Sequence, residues 1–278
     1  MKLRNSSPLI FVAFYSFVFS FLSAQDEAGA FIIVALEGDV QVKALDGKVL
    51  PDSEIALGKS LLEGQTLVTG DNGKVLLLLS NGSMVTLESN GELLLEEFKQ
   101  AKFELDNDKT VNDLKTEPST SKTSLKLGYG DLLFNVKKLN RGSAFDIKSP
   151  IGSAGIRGTD GQVTVSIDPQ TGNFSGGVNM LSGLVSFTSP AGNLVMLPAG
   201  QAVQAQSTPT GQQVGQVTEI AVPPNVTEKM AQSTQTNKIT TANIKISKVA
   251  EAVQNVGDKF PQSKPEKEKK PKYNENNK

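Results

Sequence analysis

The apolar and polar positions of the chain fall into distinct regimes. From Ala30 to about Val222, apolar runs of four to six residues recur: Phe31–Leu36, Val75–Leu79, Leu132–Val136, Val163–Ile167, Leu184–Phe187 and Leu194–Leu197. They are too short for helices and rich in β-branched and aliphatic residues, so they predict strands. Turn pairs separate them, among them Asp46-Gly47, Asn72-Gly73, Asn81-Gly82, Asn90-Gly91 and Asp160-Gly161. Such pairs tolerate the positive φ that tight turns demand. The fold class is all-β. Asn-Gly recurs at 72, 81 and 90, and a nine-residue step holds one strand and one corner. The stack of short strands is therefore solenoid-like or sandwich-like.

Two stretches depart from this pattern. Residues 97–124 form a charged insertion, read as a long loop that is partly helical around Glu96–Phe103. Its Asp106, Asp108, Thr110, Asn112 and Glu117 fall at positions 1, 3, 5, 7 and 12 of a calcium-loop template. Val111 stands where the template needs Gly, so no metal is assigned. Residues 224–260 read as a linker followed by an amphipathic helix, because Ile246, Val249, Val253, Val256 and Phe260 are spaced 3, 4, 3 and 4. Residues 261–278 are Pro, Lys, Glu and Asn-rich, with nothing to bury, and read as a disordered tail.

The N-terminus carries a different signal. Lys2 and Arg4 precede an apolar run from Leu9 to Leu22, then Leu22-Ser23-Ala24 leads into the polar Gln25-Asp26-Glu27. That order predicts a signal peptide over residues 1–24, cut between Ala24 and Gln25. The run is shorter than a spanning helix. No transmembrane segment is expected after cleavage, and the mature protein should be exported, to the periplasm or to the cell surface.

Composition narrows the chemistry. The 278 residues include no Cys, no His and no Trp, which removes disulfide scaffolds, thiolate and imidazole metal centres, Cys nucleophiles and His-based triads. With 28 basic and 29 acidic side chains the net charge is −1, so no global field gathers nucleic acid. Charge is unevenly spread: residues 25–223 carry 15 basic and 23 acidic side chains, residues 224–278 carry 11 and 6. Carboxylates are scattered over turns, and no catalytic residue, cofactor or metal ligand is assigned.

Two stretches, taken together, resemble the FecR domain, the extracytoplasmic part of regulators of iron-citrate transport. The first runs through Glu37-Gly38-Asp39-Val40, Leu57-Gly58, Leu62 to Gly70, Val75 to Leu79 and Asn81-Gly82-Ser83. The second is Phe145 to Pro150 followed by Gly155-Ile156-Arg157-Gly158-Thr159-Asp160, and Pro198-Ala199-Gly200-Gln201 resembles the family's closing turn. The likeness spans roughly residues 32–204 and implies an exported all-β domain over 25–223. Regulators of this family carry a cytoplasmic part that acts on a sigma factor. Only a few residues precede the apolar run here, so the chain reads as a secreted, stand-alone FecR domain protein. Gly155, Arg157, Gly158, Thr159 and Asp160 read as structural, with Arg157 half-buried and tied to loop carbonyls or Asp160. The functional expectation is a non-enzymatic module that binds a protein or envelope component, as scaffold or sensor, with no nucleic-acid partner. The insertion is its expected contact surface. The competing reading is a polysaccharide-active enzyme on a β-solenoid.

Overall fold

The computed structural model describes residues 27–103 and 108–259. The signal segment with Ala24 and Gln25, Asp106 of the calcium-loop template, Phe260 and the tail 261–278 lie outside the described residues.

Seventeen strands join into one mixed sheet that folds into two layers around a common core. The strands in chain order are β1 (Glu27–Ala28), β2 (Phe31–Glu37), β3 (Val40–Lys43), β4 (Ser60–Leu61), β5 (Thr66–Thr69), β6 (Lys74–Leu79), β7 (Met84–Leu87) and β8 (Gly91–Gln100). After them come β9 (Ser121–Asn135), β10 (Ala144–Ser149), β11 (Gly152–Ile156), β12 (Asp160–Ile167), β13 (Phe174–Ser182), β14 (Leu184–Thr188), β15 (Leu194–Pro198), β16 (Gln201–Ser207) and β17 (Thr218–Ala221). In the first layer, β3 pairs with β5, β5 with β8, β8 with β9, and the ladder continues through β10, β11 and β14 to β15. In the second, β4 pairs with β2, β2 with β6, β6 with β7, β7 with β9, then β12, β13, β16 and β17 follow. All these pairings are antiparallel except β9 with β10. The architecture is a sandwich rather than a solenoid.

Strand β9 belongs to both layers. Its first half pairs with β8 as far as Tyr129, and from Gly130 onward it pairs with β12. Gly130 makes the change of layer possible: φ is +98, and a Cβ there would sit 2.5 Å from the Gly91 Cα. Only glycine accepts both conditions. The Asn-Gly rhythm has a mixed meaning. Asn81-Gly82 turns the β6–β7 hairpin, whereas the turns at 72 and 90 carry the chain from one layer to the other.

Two helices cover the outer face of the second layer. Helix α1 (Pro224–Thr241) packs Met230 on Leu133, Ala202 and Val222. Helix α2 (Ile246–Lys259) packs Val249, Ala252 and Val256 against Ile32, Leu76, Leu78 and Met84. This explains the continuous Val75–Leu79 run. Val75, Leu77 and Leu79 face the sandwich core while Leu76 and Leu78 face α2, so the strand is buried on both faces.

Three expectations need correction. Glu96–Phe103 is not helical: β8 runs to Gln100, with Leu93, Leu95 and Phe98 all in the core. A register shift between Leu95 and Glu97 breaks the alternation, which hid the strand from a period-two reading. The linker after Pro223 is helix α1, whose buried side chains are Met230, Asn237 and Thr241. The insertion is not a free loop. Thr110 bridges to Lys245, the Val111 N–H donates to the Ile244 carbonyl at 2.9 Å, and the Ile246 N–H donates to the Lys109 carbonyl at 3.1 Å. It fastens the α1–α2 junction to the sandwich.

Candidate functional site

The second FecR-like stretch forms a corner between layers. Strand β11 lies in the first layer and β12 in the second, and Arg157-Gly158-Thr159 joins them. Gly158 has φ +74, and a Cβ there would meet the Lys138 Cα at 2.8 Å. Thr159 is 2% exposed and its carbonyl accepts the Val136 N–H at 2.9 Å. Asp160 accepts from the Asn135 amide and from Ser182 Oγ at 3.0 Å, while its own N–H donates to Ser182 Oγ at 3.0 Å. Ser186 Oγ donates to the Gly155 carbonyl at 3.3 Å. These four residues hold the corner together.

Arg157 behaves differently. It is exposed, and its guanidinium makes no hydrogen bond or ion pair with the described residues. The expected tie to Asp160 is absent because Asp160 is already engaged by Asn135 and Ser182. Arg157 instead points outward from a corner that carries more cations. Lys138 lies against Gly158, and Lys137, Lys138 and Arg141 share the β9–β10 connection. Thr116 bridges to Lys138, which places Lys115 beside them. Lys238 at the end of α1 is close enough to depress Lys137; burial pushes the Lys137 ammonium below its usual value first, and the Lys238 charge adds to it.

None of Lys115, Lys137, Lys138, Arg141, Arg157 and Lys238 has an ion-pair partner among the described residues. Asp160 and Asp113 pull the Lys137 ammonium the other way, and the carboxylates nearby also accept from neutral donors. Glu117, 3% exposed, accepts from the Asn140 N–H at 2.7 Å and from Ser121 Oγ at 2.6 Å, and Asp113 accepts from Thr110 N–H and Oγ1 at 2.8 Å each. Glu117 is thus turned away from the other calcium-template residues, and Asn112 donates to the Lys238 carbonyl at 2.6 Å. Among the described residues no group of three or more His, Cys, Asp or Glu side chains converges.

The opposite end of the second layer is acidic. Strand β6 runs from Lys74 at that end to Leu79 at the cationic end, about 17 Å along the strand. There the first FecR-like stretch makes the β2–β3 turn. Gly38 has φ +62, the Asp39 carbonyl accepts the Gly70 N–H at 2.9 Å, and Glu37, Asp39 and Asp71 are exposed. Sequence reasoning singled out Arg157 but missed Lys115, Lys137, Lys138, Arg141 and Lys238. They gather only once the β9–β10 connection, the insertion and α1 meet.

The family model described as FecR protein matches residues 65–186. The chain carries a FecR domain. The matched part runs from β5 through most of β14 and contains the Arg157 corner, while the Glu37–Val40 turn and the Pro198–Gln201 turn lie outside it. No curated protein matches the chain. Two crystal structures of a proposed anti-sigma factor from Parabacteroides distasonis are similar, each with 12% identity and a TM-score of 0.39. The likeness covers 56% of this chain and 59% of that one, so the chain spans little more than half of that protein's length.

Proposed function

We propose that this FecR domain is a non-enzymatic binding module that works outside the cytoplasm. It recognises an anionic protein or envelope component through the cationic corner, as scaffold or sensor. The observation that carries this reading is the set of unpaired cations around Arg157, on a body that is otherwise acidic. Exposed cations that form no ion pair among the described residues favour an incoming anionic surface and steer its approach. Each exposed pair contributes only about 0.2–1 kcal/mol, so recognition is salt-sensitive and rests on several contacts. Export rests on the order of basic, apolar and small residues before Gln25.

The test compares the mature chain with a Lys138→Glu, Arg157→Glu variant as bait in affinity capture from the extracytoplasmic fraction. The variant should lose the captured partner while Lys48→Glu, on the β3–β4 connection, keeps it. Equal capture by all three would remove the corner from the reading. Degradation of an envelope polysaccharide by the purified chain would replace the whole proposal by the enzymatic one. N-terminal sequencing of the exported form should begin at Gln25, and a membrane-bound form starting at Met1 would contradict export with cleavage.

A further inference from the structure

Strand β15 is the open end of the first layer. The other end is closed: beside β3, the Leu50 N–H donates to the Val42 carbonyl and the Ala44 N–H to the Lys48 carbonyl, each at 2.8 Å. Among the described residues β15 pairs only with β14. The Ser189 N–H donates to the Asn193 carbonyl at 2.9 Å, and bonded pairs recur at every second residue of an antiparallel ladder. Val195 and Leu197 therefore turn their N–H and C=O groups toward β14. Those of Leu194 and Met196 face outward. Pro198 completes the outward row, where its missing N–H costs no ladder bond.

The side chains on this edge are as bare as its backbone. Leu194 is 65% exposed, Met196 49%, and Leu184 on the neighbouring β14 47%. Exposed edges are normally guarded by charge, yet residues 169–218 contain no Asp, Glu, Lys or Arg, in a chain that is 21% charged. A charged partner finds no counter-charge there. A second copy brings the same neutral strand and meets no like charge, although the body of each copy is acidic. We propose that two copies of this chain pair through β15, antiparallel about a two-fold axis at Val195, so that the first layer runs on from one copy into the other. This register sets Leu194 opposite Met196 of the second copy, and both residues of each copy donate and accept. The next outward pair, Gly192 with Pro198, adds no bond. The Gly192 N–H already donates to the Ser189 carbonyl at 2.9 Å, and Pro198 has no N–H. An axis at Met196 would instead leave the Leu194 carbonyls facing Pro198. The interface shares no residue with the Arg157 corner.

Sedimentation velocity of the mature chain, from about 1 to about 100 μM, should show a monomer that gives way to a species of twice the mass. Amide hydrogen exchange at Leu194 and Met196 should slow in the dimer. Leu194→Lys with Met196→Lys places like charges opposite each other and should weaken association by about tenfold or more. Both side chains are exposed, so the melting temperature should stay near that of the parent. Leu194→Glu with Met196→Lys puts opposite charges across the axis and should restore the dimer in a salt-sensitive form. A Lys138→Glu, Arg157→Glu variant should dimerise like the parent, which keeps this test apart from that of the corner. The proposal falls if the chain is monomeric throughout that range, or if the two-lysine variant associates like the parent. It falls equally if the glutamate–lysine variant is as monomeric as the two-lysine one, since the strands then do not meet at Val195. Capture of an extended peptide from another protein on β15, by a chain that stays monomeric, would overturn it in favour of a foreign strand.

Discussion

Single residues show where the fold tolerates cost and where it does not. Asp146 on β10 is half-buried, and burial pushes its carboxyl above the usual value, partly offset by Lys148. Its folded pKa lies above the unfolded one, so the native state binds the proton more tightly. The cost of the charged form is present in full above the folded pKa and disappears as pH falls through it. Asp146→Asn should therefore raise Tm at pH 7, by about 1–3 °C for a domain of this size, and the gain should vanish on acidification. A lower Tm would mean that the carboxylate makes a stabilising contact. Gly158 is the opposite case. Gly158→Ala places a Cβ in left-handed backbone and against the Lys138 Cα, so a loss of roughly 1–3 kcal/mol is expected in chemical denaturation. The tight turn at Gly158 was legible in the sequence. The exposure of Arg157 was not, because the sequence does not show that Asn135 and Ser182 already occupy Asp160.

Elements were legible in proportion to the regularity of their patterns. The Phe31–Leu36 and Val75–Leu79 runs became β2 and β6, each within one residue at either end, and Val163–Ile167 became β12, which starts three residues earlier at Asp160. The stripe at Ile246, Val249, Val253 and Val256 became α2. Helix α1 escaped because it docks with few apolar contacts. The Asn237 amide donates to Thr86 Oγ1 at 3.2 Å, and Thr241 Oγ1 donates to the Asn112 side chain at 3.0 Å. A polar stripe of this kind looks like a solvated linker until the sheet beneath it is known. The covering role of α2 has a measurable consequence. Ile32, Leu76, Leu78 and Met84 lie beneath it, and burial of such side chains contributes roughly 1.5–3 kcal/mol each. A chain ending at Ala242 should therefore melt far lower and bind hydrophobic dye. A chain ending at Lys259 should melt like the parent. Equal melts for both truncations would show that α2 contributes no stability.

At the scale of the molecule, one strand prevents the sandwich from dividing into independent halves. Strand β9 is paired to β8 and β10 in one layer and to β7 and β12 in the other. A domain that shares a central strand loses both layers together, so calorimetry should give a single transition whose van't Hoff and calorimetric enthalpies agree. Two resolved transitions would mean that the layers unfold separately. The FecR match over residues 65–186 takes in β9 and both of its neighbours in each layer. The strands outside the match and the two helices complete sheets whose centre the family pattern already defines.

The cover on β6 also sets an order in time. Ile246, the first residue of α2, follows Leu76 by 170 positions, so a chain that emerges N-terminus first presents Lys74 to Ser80 long before its roof exists. That segment is apolar, β-prone and nearly uncharged, the kind of stretch that pairs with other chains when left bare. Contacts between this layer and the helices are among the most distant in sequence, Thr86 of β7 with Asn237 being 151 residues apart, and distant contacts form late. Protease resistance should therefore lag behind completion of the chain, and a holding chaperone would act in the interval before α2 arrives.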